Sequence, residues 1–493
     1  MTLSYKGIFG AFTLLICMSG ALLSYLSFFP DKVTNELNHR QYQQDLRLFL
    51  KETKQHSAFA AIEPQRLITI TETVNRLQQS SRGFNSSALL QQQLQQLLCL
   101  LNDPGAFALS HHSTELERLP IEPVFDGHNW QAWTNQGWLM DPDFPYLSHI
   151  DGIPISRWVQ ASQHYLADSL KHSSAAQANW LKRIGQLRGE IGLKASNDSV
   201  VTLTNGETSV QRPLTLVLHG KQQEYALVNK AKTSVYQGRM FRLPSQVDAE
   251  TLQMLTQQLS SQQSTNHSGS STSPLIIDIR GIKQPQQLLT AWLSKHLSDN
   301  NSKPRQKVMA VLQYKRFASA RADRIANQYT SMEQLSFFEQ IELNNKGFDN
   351  ALKQDSQFSD YLVRKHPALD EAPMGVSPLH VLLRIDANCE QECEWIALAS
   401  KSWPRVSLIG ETSRGSLSPR YQFTLPNSGI QIQFSSGLVY KTNGQLISGV
   451  GVSPAIQLQQ QAFRNDNIGQ LITEKLLAKM SSPNMGPLAA LPE

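Results

Sequence analysis

The chain has 493 residues, 17% of them charged and 8% aromatic, and a formal net charge of +5. That length is enough for a large core divided into two or three domains. So small a charge, with no Lys/Arg run interleaved with aromatics, excludes a nucleic-acid partner, and the lack of a phosphate-cradling loop, dinucleotide fingerprint or zinc-type Cys/His spacing predicts no cofactor and no metal.

Lys6 precedes an uncharged apolar run over 8–29 that ends at Pro30-Asp31. A basic start followed by an apolar run is the pattern of export, and about 20 apolar residues suffice to cross a bilayer. Residues 1–30 are expected to be either a signal peptide, cleaved near Ser19-Gly20-Ala21, or an uncleaved membrane anchor. The rest of the chain is expected to be exported, either periplasmic or held at the inner membrane by 8–29. Cys17 follows Leu-Leu-Ile, whereas a lipidation site needs a small residue just before its cysteine.

Residues 31–113 read as a helical region. Leu46, Leu50, Leu67, Leu77, Leu89, Leu90, Leu94, Leu97 and Leu98 recur at helical spacing among polar residues. Asn102-Asp103-Pro104-Gly105 ends the last helix, and a strand follows. Residues 114–235 form a middle module. There, 145–160 reads as strand, Asp151-Gly152 turn, strand and helix, with the helix continuing through Leu166 and Leu170. A second helix is expected around 181–187, then a hairpin over 199–218 about Asn205-Gly206.

Residues 236–460 alternate strand and helix, the signature of an α/β core. Strands are expected at the start of 239–259, at 275, over 308–314 and at the HVLLRI string, with helices over 285–297 and around Glu394. The Ser/Gln-rich 260–273 reads as a surface loop, and 315–375 as a mostly helical insertion. Residues 461–493 are expected to hold a helix over about 465–480 and a disordered tail. In an oxidising compartment Cys389 and Cys393, four apart around a turn, are the natural disulfide pair. Cys99, in a Leu-rich stretch, reads as a buried free thiol.

Three strings carry a family likeness: LIIDIRGIKQP (275–285), IDANCEQECEWIALASKSWPRVSLIGETSRG (385–415) and LPNSGIQIQFSSGLVYKTNGQLISGVGVSPA (425–455). In this order and spacing they resemble the tail-specific, or C-terminal processing, serine peptidases. That family also includes the tricorn core protease and the retinoid-binding repeats. The resemblance implies a mixed α+β fold: a crotonase-like peptidase core, an N-terminal helical segment and a PDZ-like middle module.

The same resemblance places each reactive position, and at each one this chain departs from the family. The family's serine lies three residues before a glutamate, which is followed after sixteen residues by G-E-x-T-x-G. Glu394 and Gly410-Glu411-Thr412-Ser413-Arg414-Gly415 fix that register and put Gln391 at the serine position. An amide has no oxygen nucleophile for a base to activate. The tricorn-like histidine of L-x-D-x-H is matched by Gly105, with His111 and His112 further on. The orienting acid is matched by Ser448, which cannot stabilise an imidazolium as a carboxylate does. The oxyanion string D-x-R-G-N-x-G-G reads Asp278-Ile279-Arg280-Gly281-Ile282-Lys283-Gln284-Pro285 here. Gln284 and Pro285 take the places of its glycines, and proline has no N–H to donate. The lysine of the lysine-dependent branch is matched only by Arg414, which stays protonated.

Two classes of function follow. The first is a catalytically inactive homologue that binds extended peptides or unfolded protein C-termini, with Lys283, Gln391 and Arg414 as candidate contacts. A variant of this reading is a regulator that pairs with an active paralogue. The alternative is an active serine endopeptidase with relocated groups, such as His111 or His112 with Ser400, Ser402 or Ser413.

Overall fold

The computed structural model describes residues 12–20, 33–80, 85–110, 117–218, 236–237, 240–265, 275–297, 308–316, 329–348, 357–365, 381–403 and 406–464. His111, His112, the expected helix over 465–480 and both ends of the apolar run lie outside them. Residues 12–20 are helical. No helix among the described residues is long and apolar enough to cross a membrane.

Four helices open the body: His39–His56, Ala58–Ile62, Pro64–Ser80 and Ser87–Leu100. Asn38 and Gln41 form a reciprocal cap on the first, which satisfies two N-terminal N–H groups. The helices bury one stripe each: Tyr42, Leu46 and Phe49, then Ile70 and Val74, then Leu90, Leu94 and Leu98. Their partners are distant in sequence: Leu425, Ile430, Ile432, Phe434 and Leu438. Buried Asp45 accepts from Asn427 Nδ2 (2.8 Å) and the Ser428 N–H (2.9 Å), pinning the first helix to that hairpin.

The middle of the chain builds an antiparallel sheet in the order Ser209–Thr215, Asp198–Thr204, Tyr146–Ile150, Trp130–Thr134, Ile121–Phe125. Ile153–Pro154 pairs with Tyr146–Ile150 across the Asp151-Gly152 turn. Helices Ile155–Ser162, Ser174–Leu181 and Ile184–Glu190 bury Trp158, Leu181 and Leu187 against Leu147, Ile150, Val201 and Leu203. The helix expected to run on through Leu166 and Leu170 stops at Ser162 and gives way to two single 3-10 turns. Leu166 and Ala167 between them are extended. That break lets Tyr165, Leu166 and Leu170 share one core, and Asn102 Oδ1 captures the Asp168 N–H at 2.8 Å.

The second half carries the parallel sheet that positions the site: Met240–Arg242, Leu275–Asp278, Val381–Ile385, Val406–Gly410 and Ile456–Gln457, with Tyr236–Gln237 antiparallel at one edge. Leu275–Asp278 and Val381–Ile385 are buried at every position, as strands covered on both faces must be. A second sheet orders Tyr329–Ser331, Leu362–Lys365, Val308–Tyr314 and Gly437–Tyr440, all antiparallel. Where a mostly helical 315–375 is expected, the described residues hold both helix and strand. The described part of this segment contributes two strands to this sheet and one helix, Phe337–Asn345. The cause is Val308–Tyr314, which is buried throughout and needs a partner on each edge. A third sheet pairs Arg420–Thr424, Ile430–Ser435 and Phe107–Ser110. The strand expected after Gly105 therefore joins the closing hairpin.

Candidate functional site

Strand Val381–Ile385 delivers the chain to a tight turn, and helix Glu392–Ser400 leaves it. Gln391 sits between them at φ 54°, ψ −118°. A non-glycine residue held there stores about 1–3 kcal/mol, and a strained strand-to-helix turn is the device that lifts a nucleophile out of a sheet. The turn is present, but an amide occupies it. Gln391 Nε2 donates to the carbonyl of Ser416, and to that of Ser418 at 3.0 Å. Cys389 and Cys393 bridge the turn as a disulfide with a Cα–Cα distance of 5.2 Å. The Cys393 N–H donates to Ile282 O (2.9 Å), so the turn is also tied to the 279–285 loop. Cys99 is a free thiol as expected but half-buried rather than buried, and desolvation pushes its pKa up to about 12.

Gly105 lies on the other side of Ser416. A Cβ placed on it would meet Ser416 Cβ at 3.2 Å and Asp103 Oδ1 and Ser435 Oγ at 3.3 Å. A side chain could begin there only if these neighbours gave way by a few tenths of an ångström. Asp103 explains the crowding. Its buried carboxylate accepts from the Ser435 N–H (2.6 Å), Ser435 Oγ (2.8 Å) and the Gly105 N–H (2.9 Å). Burial raises its pKa despite those donors.

Ser448 completes the set. Its hydroxyl shares a 2.6 Å hydrogen bond with Ser418 Oγ and accepts from the Val439 N–H at 2.8 Å. The segment Ser416-Leu417-Ser418 thus touches all three family positions: Gln391 through two carbonyls, Gly105 through Cβ packing, and Ser448 through a hydroxyl. Gln391, Gly105 and Ser448 meet around a serine-rich loop that sequence reasoning did not single out.

Glu394 holds that loop. Its fully buried carboxyl accepts from Ser413 Oγ (2.5 Å), the Gly415 N–H (2.5 Å) and the Ser416 N–H (2.7 Å). Burial outweighs the three donors and raises its pKa to about 7. Ser413 is thereby committed, and it also accepts from the Val452 N–H at 2.7 Å. Ser400 and Ser402 bond back to helix carbonyls of Ala397 and Ala399 at 2.9 and 2.8 Å. Among the described residues no histidine hydrogen-bonds any of these three serines.

The loop matching the oxyanion string leaves Lys283, Gln284 and Pro285 exposed. Beneath it, Asp278 and Asp386 clamp the Arg280 guanidinium. Burial works to raise the Asp278 pKa, but Arg280, Arg384 and Arg242 hold it well below the carboxylate range. Lys283 pairs with Glu390 at 2.7 Å, and Arg420 reaches the same carboxylate at 2.5 Å. Arg414 stands 3.9 Å from it. These cations outweigh burial and keep Glu390 ionised well below its ordinary range. Two of the candidate peptide contacts, Lys283 and Arg414, therefore share an internal counter-ion. Glu390 was missed in the sequence because it matches no motif residue, although it directly precedes Gln391.

The middle module meets the turn directly. Asn179 Nδ2 donates to Asn388 Oδ1 (2.6 Å), and Ser173 and Ser174 donate to the Glu411 carboxylate at 3.1 and 2.6 Å. The retained Gly410-Glu411 pair is thus a docking element. A Cβ on Gly410 would lie 2.1 Å from Ile385 O, so only glycine fits there.

No family model matches the sequence, and no curated protein matches it. Solved structures do match the fold. Mature CPAF complexed with lactacystin aligns at a TM-score of 0.59 and 14% identity, over 90% of this chain and 99% of that one. A CPAF mutant gives 0.59 and 14% over 90% and 96%. The photosystem II D1 C-terminal processing protease gives 0.38 and 12% over 90% and 98%. At 14% identity the two CPAF alignments establish a shared mixed α/β fold and leave the chemistry to this chain's own residues.

Proposed function

We propose that this protein is an exported, catalytically inactive homologue of the tail-specific serine peptidases that holds extended peptides or protein C-termini without cutting them. The observation that carries this reading is Gln391. It occupies the strained turn and spends its amide on the Ser416 and Ser418 carbonyls. Two further observations support it. A side chain at Gly105 would begin in tight contact with Ser416, Asp103 and Ser435, and Ser448 offers a hydroxyl where a carboxylate would orient an imidazole. Asp278, Arg280, Gly410 and Glu411, the positions that match the family strings, all have structural partners, which fits a maintained fold. Binding by strand addition needs backbone groups and side-chain pockets, not a nucleophile. In this reading the body over 117–218 is the PDZ-like module and the segment 8–29 is the export signal or membrane anchor.

The test combines binding and cleavage. Labelled unstructured peptides are titrated into the purified chain, and the same mixtures are analysed by mass spectrometry after prolonged incubation. Saturable binding with intact peptides is expected. Cleavage would instead support an active endopeptidase with relocated groups. Co-purification from the native envelope tests the paralogue-partner variant.

A further inference from the structure

A cavity of about 340 Å³ opens where the first helix meets the end of strand Val308–Tyr314, and Lys51, Lys54, Gln55, Lys315 and Gln357 line it. None of these residues belongs to the loop around Gln391. Three elements build the wall. Helix His39–His56 supplies Lys51, Lys54 and Gln55, which share one face because residues three and four apart are neighbours on a helix. Lys315 directly follows the buried strand, and its N–H donates to Ser436 O at 2.8 Å. Gln357 precedes Phe358, which bridges back to Lys315. The Lys315 ammonium donates to Gln357 Oε1 at 2.8 Å and stands 5.6 Å from the Phe358 ring centre.

Among the described residues no carboxylate lines this cavity. The two acids of the helix are turned to other partners. Asp45 serves Asn427 and Ser428, and Glu52 accepts from Tyr421 Oη at 2.7 Å and lies 3.3 Å from His56 Nε2. Lysines favour helix C-termini, which accounts for Lys54 in the last turn. It does not account for Lys315, which comes from another element and is only 4% exposed. An ammonium is seldom buried so far, and gathering like charges costs Coulomb energy. The field reaches His56: burial lowers its pKa, Glu52 raises it, and Lys315 and Lys51 lower it further. An incoming anion relieves that repulsion. Ammonium groups are compact point charges without a planar fork, which suits tetrahedral phosphate better than planar carboxylate. A phosphate monoester carries a charge of about −1.5 to −2 at neutral pH and three strong acceptor oxygens, a match for three lysines. The glutamine amides add donors and acceptors for its hydroxyl or ester portion. No aromatic side chain lines the cavity to stack a base, and its volume is at the small end for ligand pockets.

We propose that Lys51, Lys54 and Lys315 form a binding site for a phosphate monoester. The ester is either a small soluble molecule or the headgroup of a membrane lipid. The site does not depend on the peptide-binding reading above. No motif joins these three lysines in the sequence; only the packing of the first helix against the Val308–Tyr314 strand end brings them to one cavity.

Two formats test the site on the full chain. Glycerol phosphate and acetate are titrated by calorimetry at constant ionic strength. Co-sedimentation is measured with phosphatidylcholine vesicles and with vesicles of equal parts phosphatidylcholine and phosphatidic acid. Saturable binding of glycerol phosphate, tighter than that of acetate, identifies a soluble ester. Binding that appears only with phosphatidic acid identifies a lipid headgroup. Two variants localise the site. Lys51→Gln with Lys54→Gln alters exposed side chains alone, and Lys315→Met keeps the buried stem. Each is expected to weaken the observed binding about tenfold, roughly the value of one charge-assisted contact. Where Lys315→Met fails to fold, the double variant decides. No phosphate-dependent binding in either format, acetate binding as tight as glycerol phosphate, or undiminished binding by either folded variant would overturn the site.

Discussion

Replacing Glu394 with glutamine gives the sharpest test of how the loop around Gln391, Gly105 and Ser448 is held together. The carboxyl is fully buried and serves three donors on the 413–416 loop. Glutamine keeps one acceptor oxygen but turns an N–H₂ toward the Ser416 N–H, leaving that donor unsatisfied at a cost of about 1–3 kcal/mol. Alanine would strand all three donors, roughly 3–9 kcal/mol, a large share of the 5–15 kcal/mol typical of a folded domain. The pH dependence separates this from a generic packing defect. Burial raises the Glu394 pKa from 4.5 to about 7. The folded state therefore keeps this proton to higher pH than the unfolded state does. The resulting stabilisation is fully present below about pH 4.5 and is lost as pH rises through 7, by an upper limit of about 3 kcal/mol. Glutamine does not titrate. Urea unfolding of both proteins at pH 5 and pH 8 should show a larger wild-type advantage at pH 5. A larger advantage at pH 8 would mean that the three donors outweigh burial, and the reasoning would be wrong.

Other outcomes follow from the same geometry. Gln391→Ser is expected to fold and to hydrolyse no peptide, because Gly105 and Ser448 supply neither base nor orienting acid; product detection by mass spectrometry checks it. Gly105→His should destabilise by about 1–3 kcal/mol in urea unfolding, since its Cβ would press on Ser416, Asp103 and Ser435. Before reduction, the denatured chain should show Cys17 and Cys99 as its titratable thiols. Cys389→Ser with Cys393→Ser should cost about 2 kcal/mol, the small value expected for so short a loop.

Much of the site was legible because chemistry and spacing were locked together. Glu394 and the Gly410-Glu411 pair fixed the register, and Gln391, Gly105 and Ser448 do meet around one loop. The disulfide followed from two cysteines flanking a turn. What stayed hidden depended on tertiary partners. Nothing local marks Glu390 as the acceptor for Lys283 and Arg420. Within the described part of 315–375, the demand of Val308–Tyr314 for an edge partner drew Leu362–Lys365, and with it Tyr329–Ser331, into a sheet that no local signal announced. Leu166 and Leu170 kept helical spacing, but Asn102 captured the backbone between them and broke the helix.

The central claim is that the tail-specific-peptidase fold has kept its turn and lost its nucleophile. Fluorophosphonate labelling of the purified, folded chain, read by intact mass and run beside peptide hydrolysis, tests it most directly. No covalent adduct and no product are expected. An adduct mapped to any serine, accompanied by turnover, would contradict the account and relocate the active site to that residue.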